Sequence, residues 1–260
     1  MKLVRTIDEV YRERDDVTDA RIVGLVPTMG AFHDGHLALF RAARAECDFV
    51  VVSLFVNPSQ FGADEDLDRY PRDEARDAKL ADDEGIDILF APAVEELYPR
   101  GYQTWVDVEH LGRVLEGVHR PDHFRAVATI CLKLFNIVRP HRAYFGRKDA
   151  QQAAVLRQMI RDLNVDDGLR VLPTVRDADG LAVSSRNVYL SPDDRELALT
   201  LPRALQTRDP EQAHAVLADA GLQTDYVDVL EDDGTRVLAA AVRVGGIRLI
   251  DNVPLEGGSS

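Results

Sequence analysis

Cysteine is nearly missing: the 260-residue chain carries two, Cys47 and Cys131. They stand far apart and outside any paired motif, which excludes a disulfide framework. Long apolar runs are missing too; none approaches the roughly 20 residues that a membrane span requires. The opening Met1-Lys2-Leu3-Val4-Arg5-Thr6 lacks the apolar segment of a secretion signal. Positive charge is in short supply, with 31 Lys and Arg against 45 Asp and Glu and a net charge of −14. That balance argues against nucleic acid or an anionic membrane as partner. There is no internal repeat and no low-complexity block. The expectation is a reduced, cytoplasmic protein. A hydrophobic content of 45% with 29% charged residues is that of a globular chain, long enough for one large domain or two unequal ones.

What is present centres on Val26-Pro27-Thr28-Met29-Gly30-Ala31-Phe32-His33-Asp34-Gly35-His36. The preceding Ile22 to Val26 reads as a buried strand. The following Leu37, Leu39, Phe40 and Ala43 recur at helical spacing. A strand-to-helix connection at the carboxyl end of a parallel strand is where open α/β sheets bind ligands. Gly30 and Gly35 permit a tight turn and close approach, and a helix N-terminus near His36 suits phosphate. His33 and His36, three apart, share a face of the first turn. Imidazole can donate a hydrogen bond, and imidazolium can add charge as a transition state becomes more negative. No third ligand follows at zinc-type spacing, which argues against metal at these histidines.

In chain order, the spacing predicts a helix from Thr6 and the strand before the motif. The motif helix and a nearly continuous apolar strand over 48–56 follow. Asn57-Pro58-Ser59-Gln60-Phe61-Gly62 makes a polar loop, then come a helix at 72–84 and a strand at 86–90. A less regular stretch, 93–123, holds the one tryptophan. Next are a helix at about 124–138, a strand at 143–146, a helix through Val155 to Ile160, and a strand from Leu169 to Val175 that closes the sheet. Strand and helix alternate throughout, which predicts a Rossmann-like parallel α/β sheet. Beyond a break at 176–190, helices near 193–206 and 211–220 and strands near 226–231, 236–244 and 247–253 predict a smaller α+β domain. The expected division is 1–175 and 176–260, with a hinge near 175 and a frayed tail at 257–260. Acidic runs such as Asp64-Glu65-Asp66 read as solvated faces.

The unusual side chains fall at the carboxyl ends of four predicted strands: Thr28 to His36, Asn57 to Gln60, Gly146 to Gln152, and Pro173-Thr174. In a parallel sheet these share one rim. Lys148 beside Gly146 suits a phosphate contact, as a point charge on a flexible stem. Gln60 and Gln152 are neutral amides, able to orient a carboxylate or hydroxyl without quenching a nucleophile through a strong ion pair. Ser184-Ser185-Arg186 offers two hydroxyls and a guanidinium. As a swinging loop it could stabilise charge during phosphoryl or nucleotidyl transfer. As a capping and linker segment it would do neither, and the residues alone leave these readings even.

Together the stretches PTMGAFHDGH (27–36), FVNPSQF (55–61), DLDRYPR (66–72), RPDHFRAVATI (120–130), YFGRKDAQQ (144–152), PTVRDADGLAVSSRN (173–187) and LIDNVPL (249–255) resemble the pantothenate synthetase (pantoate–β-alanine ligase) family. This family lies within the HxGH nucleotidyltransferase superfamily. The resemblance covers nearly the whole chain; HxGH alone is weak, but its combination with NPxQF, GxKDxQQ and SSRN is specific. It implies a two-step reaction. Pantoate attacks the α-phosphorus of MgATP to give pantoyl adenylate and pyrophosphate, then β-alanine attacks the acyl carbon and AMP leaves.

Carried over, the resemblance places His33 and His36 on the ATP phosphates and Lys148, Ser184, Ser185 and Arg186 on the β- and γ-phosphates. Gln60 and Gln152 would hold pantoate, with Met29 and Thr28 beside it. Gly146, Asp149, Pro173 and Val175 would border adenosine, and the nucleotide site would also include Pro27, Gly30 and Val183. Mg2+ would come with ATP, for which Asp77 is a faint contact candidate, and the family's usual state is a dimer. Arg147, Ala150, Ala126 and Val183 depart from the family's commonest residues, and none removes a proposed catalytic group. Two other readings compete. An adenylyltransferase with a phosphate-bearing acceptor would call for Arg or Lys where Gln60 and Gln152 stand. A nucleotide-sensing module without turnover would be favoured by loss of His36, Lys148 or Arg186, all of which are present.

Overall fold

A computed structural model describes residues 1–255 apart from 16, 18–20, 63, 64, 66, 167 and 233. Asp64 and Asp66 of the acidic run, and the glycine–serine tail, lie outside the described residues. Six strands form one parallel sheet: β1 (Lys2–Val4), β2 (Val23–Thr28), β3 (Phe49–Leu54), β4 (Ile88–Phe90), β5 (Arg142–Gly146) and β6 (Gly168–Leu172). Their spatial order is β1-β4-β3-β2-β5-β6. From β2 the chain builds outward through β3 and β4 on one side, then returns to place β5 and β6 on the other. The order therefore reverses between β2 and β5, which opens a crevice at their carboxyl ends.

The helices are α1 (Ile7–Asp15), α2 (Asp34–Glu46), α3 (Glu74–Asp83), the single turns α4 (Val94–Leu97) and α5 (Glu116–His119), α6 (His123–Val138) and α7 (Ala150–Asp162). Both sheet faces are buried, which is why the strands read as continuous apolar runs. Val23, Leu25, Val51, Ile88 and Phe90 face a core with α1, α6 and α7. Their neighbours Val26, Val50, Val52 and Leu89 face Leu39, Phe40 and Ala43 of α2 and Ala81 of α3. Each fully buried Val, Leu, Ile or Phe among them contributes about 1.5–3 kcal/mol relative to exposure.

The structure corrects three sequence readings. Residues 2–4, to which the sequence assigned no element ahead of the helix from Thr6, form an edge strand beside β4, fixed by pairing with residues more than 80 positions away. The strand predicted to reach Val175 ends at Leu172, where Pro173 has no N–H for the ladder. The helix predicted over 193–206 is two, α8 (Pro192–Ala198) and α9 (Thr200–Leu205). The ring of Pro202 crowds the carbonyl of Ala198, four residues back, and removes its bond. With α10 (Pro210–Asp219) these helices cover an antiparallel sheet of β7 (Gln223–Asp232), β8 (Thr235–Val244) and β9 (Ile247–Pro254).

Arg176 ties the connecting segment to the small sheet. Arg176 pairs with Ala182 as an isolated antiparallel bridge, and its guanidinium grips the buried carboxylate of Asp251 on β9 at 2.7 and 3.0 Å. Elsewhere, the irregular stretch before α6 forms an aromatic file. Phe55, just past β3, lies 6.3 Å from Tyr98, and Tyr98 stacks on Trp105 at 6.1 Å and 24°. Arg125 sits 5.0 Å over the indole.

Candidate active site

The sheet's carboxyl rim does bring the four connections together. They wall a cavity of about 250 Å³, which adjoins a second of about 930 Å³ between the rim and β9. From the β2 end come Pro27, Thr28, Met29, His33 and His36; from β3, Gln60; from β5, Gly146, Lys148, Asp149 and Gln152. From β6 onward come Pro173, Val175, Val183, Ser184, Ser185 and Arg186. Gly30 alone of the expected residues is not in the wall. It lies in the turn behind, at φ +86°, where a Cβ would meet Leu54 at 2.8 Å.

The β2 connection is built on buried polar bonds. The Thr28 hydroxyl donates to the Ser53 carbonyl at 2.5 Å. Gly30 and Ala31 are both left-handed, at φ +86° and +53°. This points the N–H groups of Ala31 and Phe32 inward, where the carboxylate of Asp77 accepts both at 2.7 and 2.8 Å. Asp77 is 1% exposed, and burial raises its pKa against the lowering by these two amides. Asp77 is therefore an anchor of the loop, correcting its reading as a magnesium contact.

His33 is the N-cap of α2. Its Nδ1 accepts from the Gly35 N–H at 3.2 Å, while the His33 N–H donates to Nδ1 of His36 at 3.3 Å. Each Nδ1 is an acceptor, so each proton is assigned to Nε2. The rings lie 4.1 Å apart. Burial, then the Lys148 charge, lowers the His33 pKa to about 4, and burial, His33 and Lys148 hold His36 well below its ordinary value. Both are neutral Nε2–H donors at pH 7, the first of the two forms that the sequence left open. The same rings cap α2 and face the cavity.

The remaining walls follow the same economy. Lys148 and Arg147 sit in a 3-10 turn whose two carbonyls each accept from Asn252 Nδ2 on β9 at 2.9 Å. Ser184 caps the next 3-10 turn through the Arg186 N–H at 3.3 Å, and still lines the cavity. Val183 N–H bonds the Val175 carbonyl at 3.0 Å, joining the β6 end to the Ser-Ser-Arg segment. Among the described residues, the side-chain amides of Gln60 and Gln152 carry no protein hydrogen bond, so both remain open toward the cavity. The charged residues of the smaller cavity are Arg120, Lys148, Arg186 and Asp149, a local cationic excess inside a chain of −14. Sequence reasoning gave no role to Arg120, His123, Asn57 or Asn252. The first two lie within the quoted RPDHF stretch, the only signal that could have found them.

Residues 2–254 match the model of a family described as pantoate-beta-alanine ligase. The chain belongs to that family. A pantothenate synthetase from Heliobacterium modesticaldum is 49% identical over 98% of this chain and 100% of its own. One from Moorella thermoacetica is 50% identical over 98% and 99%. Among solved structures, pantothenate synthetase from Thermus thermophilus superposes with a TM-score of 0.90 at 44% identity, covering 97% of this chain and 99% of its own. The Francisella tularensis ligase, crystallised with β-γ ATP and β-alanine, gives 0.88 at 33% identity and 99% coverage of both chains. The ligase family's extent thus spans both sheets and the whole rim.

Proposed function

We propose that this chain condenses pantoate with β-alanine at the expense of ATP, through pantoyl adenylate. The observation that carries the reading is one cavity, walled by all but one of the expected residues, in a chain that matches the ligase family from end to end. The pantoate carboxylate attacks the α-phosphorus and pyrophosphate leaves; the β-alanine amine then attacks the acyl carbon and AMP leaves. Pantoate is already ionised, so the first step requires no base. The protein supplies proximity and a fixed field.

In this reading the Nε2–H groups of His33 and His36 donate to phosphate oxygens. Lys148, Arg186 and the hydroxyls of Ser184 and Ser185 balance the β- and γ-phosphate charge. Gln60 and Gln152 hold pantoate beside Met29 and Thr28, with Pro27 and Gly30 shaping the same turn. Gly146, Asp149, Pro173, Val175 and Val183 border the nucleoside. Mg2+ belongs to the nucleotide substrate, since this ion keeps phosphate and water ligands and needs few protein groups. Asp149, 48% exposed at its side chain, is, among the described residues, the one carboxylate in the wall of the smaller cavity. Residues from 176 onward are proposed to act as a lid, and the chain to work as a cytoplasmic homodimer.

ATP–pyrophosphate exchange tests the reading. Exchange is expected only with pantoate present and without need of β-alanine; exchange independent of pantoate would remove the assignment. Gln60→Ala and Gln152→Ala each delete an amide facing the acyl substrate. Losing such a partner costs about 1–3 kcal/mol, so the pantoate constant should rise about 5- to 150-fold. The ATP constant should stay within about twofold. Equal rises in both constants would place these amides elsewhere.

A further inference from the structure

Gln60 ends the 3-10 turn Pro58–Gln60, and the direction of its side chain depends on how its backbone is held. Two donors reach its carbonyl: His123 Nδ1 at 3.0 Å and Arg120 Nη2 at 3.1 Å. They fill both lone pairs of that oxygen. Arg120 Nη1 lies 3.2 Å from His123 Nε2. Guanidinium has no acceptor, so Nε2 must accept and the imidazole proton belongs on Nδ1, the one position from which it can donate to Gln60. Glu65 fixes Arg120 in turn, taking Nε at 2.7 Å and Nη2 at 2.6 Å. Burial and the Arg120 charge lower the His123 pKa to about 4, so the ring stays neutral at pH 7. His123 heads α6, whose residues 126–131 are all buried. The hook is therefore mounted on a rigid element.

We propose that His123 is a positioning residue for the acyl substrate: it aims the Gln60 amide into the cavity by holding the Gln60 carbonyl in its Nδ1–H tautomer. This rests on the reading that Gln60 meets pantoate. The two ring nitrogens make the idea separable by substitution. Asparagine places an amide N–H near the Nδ1 position, whereas glutamine reaches toward Nε2.

The experiment measures the pantoate dependence of ATP–pyrophosphate exchange, and ATP affinity separately, for His123→Ala, His123→Asn, His123→Gln, Gln60→Ala and the double variant Gln60→Ala/His123→Ala. His123→Ala is expected to raise the pantoate constant about 5- to 150-fold, the range for one lost hydrogen bond, with ATP affinity within about twofold. Asparagine should restore most of the loss and glutamine should not. Adding His123→Ala to Gln60→Ala should bring little further loss, because both changes remove the same interaction. Rescue by glutamine rather than asparagine would overturn the proposal and put Nε2 on the substrate. Should the alanine variant not fold, the asparagine–glutamine comparison decides alone. A large Gln60→Ala effect beside an unmoved His123→Ala constant defeats this inference only. An unmoved Gln60→Ala constant defeats the parent reading first, so the two failures are distinct.

Discussion

Replacing His36 by alanine is expected to slow pantoyl adenylate formation by about 10²–10³, the range for deleting one preorganised donor aimed at developing charge. The geometry makes this a donor effect and not a charge effect. His36 is neutral, with Nδ1 occupied by the His33 N–H and Nε2–H left for the cavity. The same ring completes the cap of α2, so the alanine variant also loses about 0.5–2 kcal/mol of helix-end stability. His36→Asn separates the two roles. Its side-chain oxygen can still accept from His33 while no donor reaches the Nε2 position. That variant should fold with nearly unchanged stability and yet be almost as slow as alanine. A single-turnover pyrophosphate burst of wild-type speed in the asparagine variant would remove His36 from the chemistry.

The largest expected effect on stability is at Arg176. Its carboxylate partner Asp251 is 1% exposed at the side chain, whereas Arg176 is 28% exposed. Removing the arginine leaves that buried carboxylate with the Asn252 N–H at 2.8 Å and no counter-charge, and breaking a buried pair in this way costs about 3–5 kcal/mol. Arg176→Ala should lower the urea midpoint accordingly, with an unchanged slope. Adding Asp251→Ala should return part of the loss, because it removes the stranded charge. An Arg176→Ala variant within about 1 kcal/mol of wild type would mean that the pair contributes little. The tie also bears on the proposed lid. It links residue 176, at the expected boundary, directly to β9, so the Ser184–Arg186 segment should travel with the small sheet.

The rim was legible because each of its strands is a short apolar run closed by Gly, Pro, Asn or Thr. Those closures, at Thr28, Asn57, Gly146 and Pro173, fall where the observed strands end or just beyond. What the residues could not display is the scaffolding behind them. Asp77 serves Ala31 and Phe32 across 46 and 45 positions, and His123 serves Gln60 across 63. In both cases the partner is a backbone group, which leaves no pattern in the sequence of either segment. The sequence offered Asp77 only as a faint contact for Mg2+, whereas the structure buries it beside Ala81 on the inner face of α3. The protonation of His33 and His36 stayed open in the sequence for the same reason. Their neutrality comes from burial and from Lys148, which lies far along the chain and is brought near only by the pairing of β2 with β5.

The aromatic file from Phe55 through Tyr98 to Trp105 gives the molecule a built-in optical gauge. Phe55 belongs to the cavity wall, and Trp105, the chain's one indole, stands at the other end, 37% exposed. Indole emission is sensitive to the polarity and charge around the ring, here set by Tyr98 and the Arg125 guanidinium. Filling the cavity with pantoate should shift Phe55, and through the stacked rings alter that emission, without any label. Titrating pantoate under excitation selective for tryptophan should give a saturable change that Trp105→Phe abolishes and Gln60→Ala moves to higher concentration. A flat signal would mean that the file is packing alone.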